Sequence, residues 1–241
     1  MTRSAQLEKT SPFRHTDRQF DAELRELKDR LLAMGGRCER LISEALRAVE
    51  DGDAARARAV DDADRLVNAD HLACDELAVR ILALRSPVGR DLRLLVTALK
   101  VVTDLETIGD EAVNVAERAA RLAIDAEEVR GIKAILNEMG SRGADMLDLA
   151  LDAFVEEDVE RAQRVLAMDD AVDALHARAL SRSVAYMKRN PMLADVGMGL
   201  TSSAKCLERI ADLATNIAEM VVYMVEGEDV RHGARAIQSL E

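Results

Sequence analysis

Residues 207–221 carry apolar side chains at Leu207, Ile210, Ala214, Ile217 and Val221, the three- and four-residue alternation of one helical face. On a wheel of about 100° per residue with Glu208 at zero, that seam spans roughly 180° to 260°. Asp212, Asn216 and Glu219 fall within about 80° of Glu208, on the opposite face, with no Lys or Arg between them there. The run 105–117 behaves the same way, with Leu105, Ile108, Ala112 and Val115 as the seam and Glu106, Asp110, Asn114 and Glu117 as the oxygen stripe.

Helical periodicity extends over most of the chain and predicts six helices. The first runs from about Asp17 to Asp51-Gly52, where glycine permits a left-handed turn and Asp53 can cap the next helix. A second covers about Ala54 to Arg85. Ser86-Pro87 reads as an N-cap followed by proline at the first helical position, opening a third helix to about Ile124. The remainder predicts helices over Glu127 to Glu157, Val159 to Arg189, and from Asn190-Pro191 to near Gly227. No segment carries a strand pattern.

The chain is written twice. A shift of 105 residues lays 34–71 on 139–176, with identities that include Met34/Met139, Gly35/Gly140, Asp53/Asp158, Asp64/Asp169 and His71/His176. At a shift of 102, LETIGDEAVNVAE meets LERIADLATNIAE with 8 of 13 positions identical. The expected fold is therefore all-α, a tandem repeat of two three-helix bundles over 17–125 and 126–227. Residues 1–16 and 228–241 read as tails.

Composition narrows the function. Aromatics are 2% of the 241 residues and the formal charge is −12, which disfavours a nucleic-acid partner or an anionic membrane surface. No signal-peptide core or membrane-length apolar run is present, so direct membrane insertion is not expected. Cys38, Cys74 and Cys206 are widely spaced and form no CxxC, which suits buried thiols in a reducing cytoplasm.

Carboxylates four residues apart on a helix repel, and two readings accommodate them. One is a solvated acidic face in which Glu117 pairs with Arg121. The other is a cation site, since oxygen-only donors from Glu, Asp and Asn suit Mg, Ca, Mn or Fe. Duplication favours the second, because generic surface charge need not keep Glu, Asp, Asn and Glu in register twice. Asp64 and Asp169 on the middle helices would then supply a second wall.

The two stripes resemble the repeated E(D)xxxD signature of the PhoU family, and NIAEMVVYMVEGEDVRH is similar to that family's closing run. The resemblance implies tandem three-helix bundles with multinuclear metal clusters, iron or zinc, on the acidic faces. It assigns ligand roles to Glu106, Asp110, Glu208 and Asp212; the residue pattern adds Asn114, Asn216, Asp64 and Asp169. It also implies a cytosolic homodimer that damps the phosphate-starvation response, acting between the Pst phosphate importer and a PhoR-type sensor kinase. The chain departs from the family pattern at Ala211, where glycine is usual, and at Glu111 and Leu213, where histidine often follows the aspartate.

The rival is a di-metal oxidase or iron-handling protein of ferritin type, but its ExxH motif is absent; Asn68-x-x-His71 and Asp173-x-x-His176 come nearest. No GxSxG, glycine-rich phosphate loop or Cys–His signature supports an enzyme.

Overall fold

The structure, a computed structural model, describes residues 18–227. The two expected tails, with His15 and His232, lie outside the described residues. Six helices follow in order: α1 Arg18–Asp51, α2 Ala54–Arg85, α3 Gly89–Ala116, α4 Glu127–Glu156, α5 Val159–Arg189 and α6 Ala194–Glu226. Among the described residues there is no strand, and no helix is long and apolar enough to cross a membrane.

Each helix buries one stripe. On α1 it comprises Leu27, Leu31, Met34, Cys38, Leu41, Ile42, Ala45 and Val49, spaced to return to one side every turn. α1, α2 and α3 pack on one another, as do α4, α5 and α6; the two sets then join through α1 on α4 and α3 on α6, leaving α2 and α5 outermost. One apolar core runs through both sets.

The join follows a pseudo-twofold axis, because repeat-equivalent residues make reciprocal contacts. A Cβ on Gly35 would fall 2.0 Å from Leu151 Cδ1, and one on Gly140 would fall 2.5 Å from Leu46 Cδ1. Glycine at both positions leaves room for the facing leucine side chains between α1 and α4. Lys28 Nζ donates to the Val155 carbonyl at 2.9 Å, and Lys133 Nζ donates to the Glu50 carbonyl at 3.2 Å. Each lysine thus satisfies an orphan carbonyl at the C-terminal end of the helix it crosses, where the helix dipole also favours positive charge.

Asp53 caps α2 as expected, its carboxylate accepting from the Ala55 and Arg56 amides at 2.8 and 3.0 Å; Asp158 accepts from the Arg161 amide at 3.1 Å. Gly52 sits at φ 66°, and its repeat equivalent Glu157 adopts the same left-handed conformation at φ 58°.

Three expected boundaries differ. Ser86 does not cap α3; it ends α2 in a left-handed conformation (φ 46°), its amide donating to the Leu82 carbonyl at 3.3 Å. The proline that follows disfavours the right-handed helical region for Ser86, so the chain turns before restarting at Gly89. Asn190 likewise ends α5, with both its amide and its side chain donating to the Tyr186 carbonyl, and Pro191 opens a short 3-10 turn before α6. α3 stops at Ala116 rather than near Ile124, because a 3-10 turn over Ala119–Leu122 is needed to bury Ala119 and Leu122.

Candidate functional site

The seams behave as the periodicity requires. Leu105, Ile108, Ala112 and Val115 on α3 are buried, as are Leu207, Ile210, Ala214, Ile217 and Val221 on α6. Their oxygen stripes border two grooves, α2–α3 and α5–α6. Glu106 and Asn114 are half-buried and Asp110 is exposed; Glu208 is half-buried, and Asp212 and Asn216 are exposed. Glu117 caps the end of α3 and forms no ion pair with Arg121.

The middle helices supply the opposite walls. Asp64 on α2 is 7% exposed, and its Oδ2 accepts from Asn68 Nδ2 at 2.8 Å while Oδ1 is buried without a hydrogen-bond partner. Burial pushes its pKa up, the charges of Asp110 and Glu106 add to the shift, and the Asn68 bond opposes it. Gly109 makes this placement possible, since a Cβ there would lie 2.5 Å from Asp64 Oδ1. Asp64, Glu106 and Asp110 therefore share one groove, and neither Glu106 nor Asp110 has a side-chain partner among the described residues.

Asp169 takes the equivalent place on α5. It is half-buried, and its Oδ1 accepts from the Thr215 hydroxyl at 3.2 Å. Burial raises its pKa, followed by Asp173, with Asp170 and Glu208 adding to the shift and Thr215 opposing it. Asp212 is raised by burial and then by Glu208 and Asp169, while Lys205 pulls it back. Lys205 pairs with Glu208 Oε2, and His176 Nδ1 lies 3.6 Å from Glu208 Oε1. Ala211 stands where the first groove has Gly109.

Lys205 is the residue that the stripe pattern overlooks. It precedes Glu208 by three positions, at roughly 60° on the same wheel, so its ammonium belongs to the acidic face. Asn68 and Asp173 also enter the grooves, each one turn beyond the repeated aspartate. Among the described residues no three His, Cys, Asp or Glu side chains converge tightly enough to enclose a metal ion. The donor set of the first groove nonetheless fits a hard cation: it is oxygen-only, uncompensated by Lys or Arg, and contains a buried carboxylate oxygen with no donor.

Other polar groups serve the join between repeats. Glu111, 6% exposed on α3, accepts from Arg209 Nη1 on α6 at 2.6 Å. The three cysteines are free and buried, and burial pushes the Cys74 and Cys206 thiols up to about 11 and about 12, far from reactive thiolates.

Residues 31–119 and 136–221 each match the PhoU domain family. The chain is 41% identical over 226 residues to a phosphate-specific transport system accessory protein PhoU homolog from Pseudomonas aeruginosa, covering 94% of this chain and 93% of that protein. It is 33% identical over 221 residues to the phosphate-specific transport system accessory protein PhoU of Escherichia coli K12, covering 91% and 90%. The crystal structure of PhoU from Pseudomonas aeruginosa superposes with a TM-score of 0.81 at 40% identity, over 87% of this chain and all of that one. The phosphate transport system regulatory protein PhoU of Streptococcus pneumoniae gives 0.79 at 29% identity, over 88% and 99%.

Proposed function

The chain belongs to the PhoU family, and from that membership we propose that it is a non-enzymatic regulator of phosphate uptake which binds cations in its acidic grooves. The observation that carries this reading is likeness along nearly the whole chain to proteins named as accessories of the phosphate-specific transport system. The protein works in the cytoplasm as a homodimer, docking helical faces on the Pst importer and on a PhoR-type sensor kinase so that starvation signalling stays low when phosphate is plentiful.

Asp64, Glu106 and Asp110 would hold the ion in the first groove, with Asn114 as a neutral oxygen donor. Asp169, Glu208, Asp212 and Asn216 are the corresponding set in the second. A bound iron, zinc, magnesium, manganese or calcium ion supplies positive charge that relieves carboxylate repulsion. The chain's own part is to hold the two helices of each groove at fixed separation, so that filling a groove stiffens a surface available to a partner. Removing the gene from the source cell is expected to raise alkaline phosphatase activity in phosphate-rich medium. Phosphatase that stays at its repressed level in that strain would defeat the signalling assignment.

A further inference from the structure

We propose that the two grooves are unequal cation sites: the α2–α3 groove takes the ion, and in the α5–α6 groove the Lys205 ammonium stands in its place. This inference rests on the cation reading above. The motif glutamates show the difference first. Both Glu208 oxygens already face a basic group, Lys205 on Oε2 and His176 at 3.6 Å from Oε1. Glu106 has no such partner among the described residues. Thr103, the repeat equivalent of Lys205, turns its hydroxyl away to donate to the Leu99 carbonyl at 3.1 Å. His71, the equivalent of His176, lies 3.4 Å from Asp75 on its own helix.

The middle-helix carboxylates differ in the same sense. Asp169 Oδ1 accepts from Thr215, whereas Asp64 Oδ1 is buried with no donor. A buried carboxylate oxygen left without a partner is costly, so Asp64 keeps an unspent acceptor where Asp169 has already given its own to Thr215. Net charge does not decide between the grooves, because Asp173 replaces Asn68 and its extra negative charge offsets Lys205. Availability decides. An ion entering the second groove must displace an ammonium from Glu208; one entering the first has no ion pair of Glu106 or Asp110 to break.

Titration of the metal-free full chain with Mn2+, followed through the electron paramagnetic resonance signal of the free ion, tests this, with Zn2+ as competitor. Wild-type protein is expected to show one tight class of site. The pair Glu106→Gln with Asp110→Asn should abolish it, while Glu208→Gln with Asp212→Asn leaves it unchanged. Lys205→Thr, which installs the first groove's residue, should tighten the second class by about fivefold, the scale of releasing one exposed ion pair. Circular dichroism melts confirm that each variant is folded. Two equal tight classes in the wild type, loss of the tight class in the Glu208/Asp212 pair, or no effect of Lys205→Thr overturns the inequality and leaves the cation reading standing. Failure of every variant to bind either ion overturns both.

Discussion

The two halves of the molecule share a backbone plan and an apolar seam but treat the same polar positions differently. At the turn after the first helix of each repeat, a left-handed residue is required in both. The first half places Gly52 there, and the second places Glu157. At the point where the middle helix meets the motif helix, the first half uses Gly109 to admit Asp64, while the second has Ala211 and leaves Asp169 half-buried. The first half leaves Glu106 and Asp110 without counter-charge among the described residues; the second provides Lys205 to Glu208. What a duplicated bundle must keep is its packing. Its polar groups are free to reach charge balance by separate routes, provided each buried group finds a partner.

The turn contrast predicts the largest effect. A Cβ on Gly52 would lie 2.5 Å from Ala123 Cβ and 3.0 Å from its Cα, a contact with backbone that cannot swing aside. Gly52→Ala adds this clash to the left-handed penalty, and a loss of about 3 kcal/mol is expected in urea unfolding. Glu157 tolerates the conformation because its carboxylate is held by Lys28 at 2.9 Å and by Arg90. Glu157→Gly should therefore exchange relief of backbone strain for lost ion pairs and change stability by less than about 1 kcal/mol. Equal losses in the two variants would show that Ala123 gives way and that the halves are less distinct here than their geometry indicates.

The groove contrast predicts the next. Gly109→Ala gains helix propensity but drives a methyl group against Asp64 Oδ1 and to within 3.3 Å of Val67 Cγ1. A net loss of about 2 kcal/mol is expected, with Asp64 pushed towards the exposure of Asp169. The reverse change, Ala211→Gly, removes propensity without adding a contact and should cost about 1 kcal/mol. Urea titration of both variants checks the pair. A Gly109→Ala protein more stable than wild type would mean that Asp64 moves freely and that its burial is incidental.

Much of this was legible in the residues. The apolar seams fixed six helices, and duplicate identities such as Gly35/Gly140 and Asp64/Asp169 revealed the tandem architecture. Asp53 announced its cap, because one short carboxylate beside a glycine has few other uses. Ser86-Pro87 misled, since Ser-Pro can equally end one helix or start the next, and the buried 3-10 turn after Ala116 depends on tertiary contacts that no local pattern carries. The stripes were visible, and Ala211 and Leu213 already set the second copy apart from the first, yet the groups that partner Glu208 and Asp169 were not. Lys205 lies outside the 13-residue motif, and the significance of Gly109 appears only when α2 is laid against it.

Asp64 offers the finest discrimination between the grooves, through pH. Burial and the charges of Asp110 and Glu106 raise its pKa above the ordinary carboxylate range in the folded protein, so the native state holds its proton to higher pH than the unfolded chain does. Stability of the metal-free protein should then fall as pH rises from the ordinary carboxylate range through the raised value, because ionising Asp64 is harder in the fold. Asp169 and Asp212 contribute with the same sign. Glu157 acts oppositely and in a lower window: burial would raise it, but Lys28 and Arg90 hold it below its usual value, so its stabilisation is lost only as pH falls through that lowered value. Asp64→Asn removes the first contribution while leaving an amide that can still meet Asn68. The variant should be more stable than wild type at pH 7 by about 1 kcal/mol when metal-free, with a flatter dependence as pH falls from 7 into the ordinary carboxylate range. Denaturation followed across that pH range measures both quantities. Asp169→Asn should flatten the profile less, since Asp169 is more exposed and has the Thr215 hydroxyl on its Oδ1. If the two substitutions flatten it equally, the grooves are electrostatically alike, and Lys205 and Thr215 do not compensate the second one.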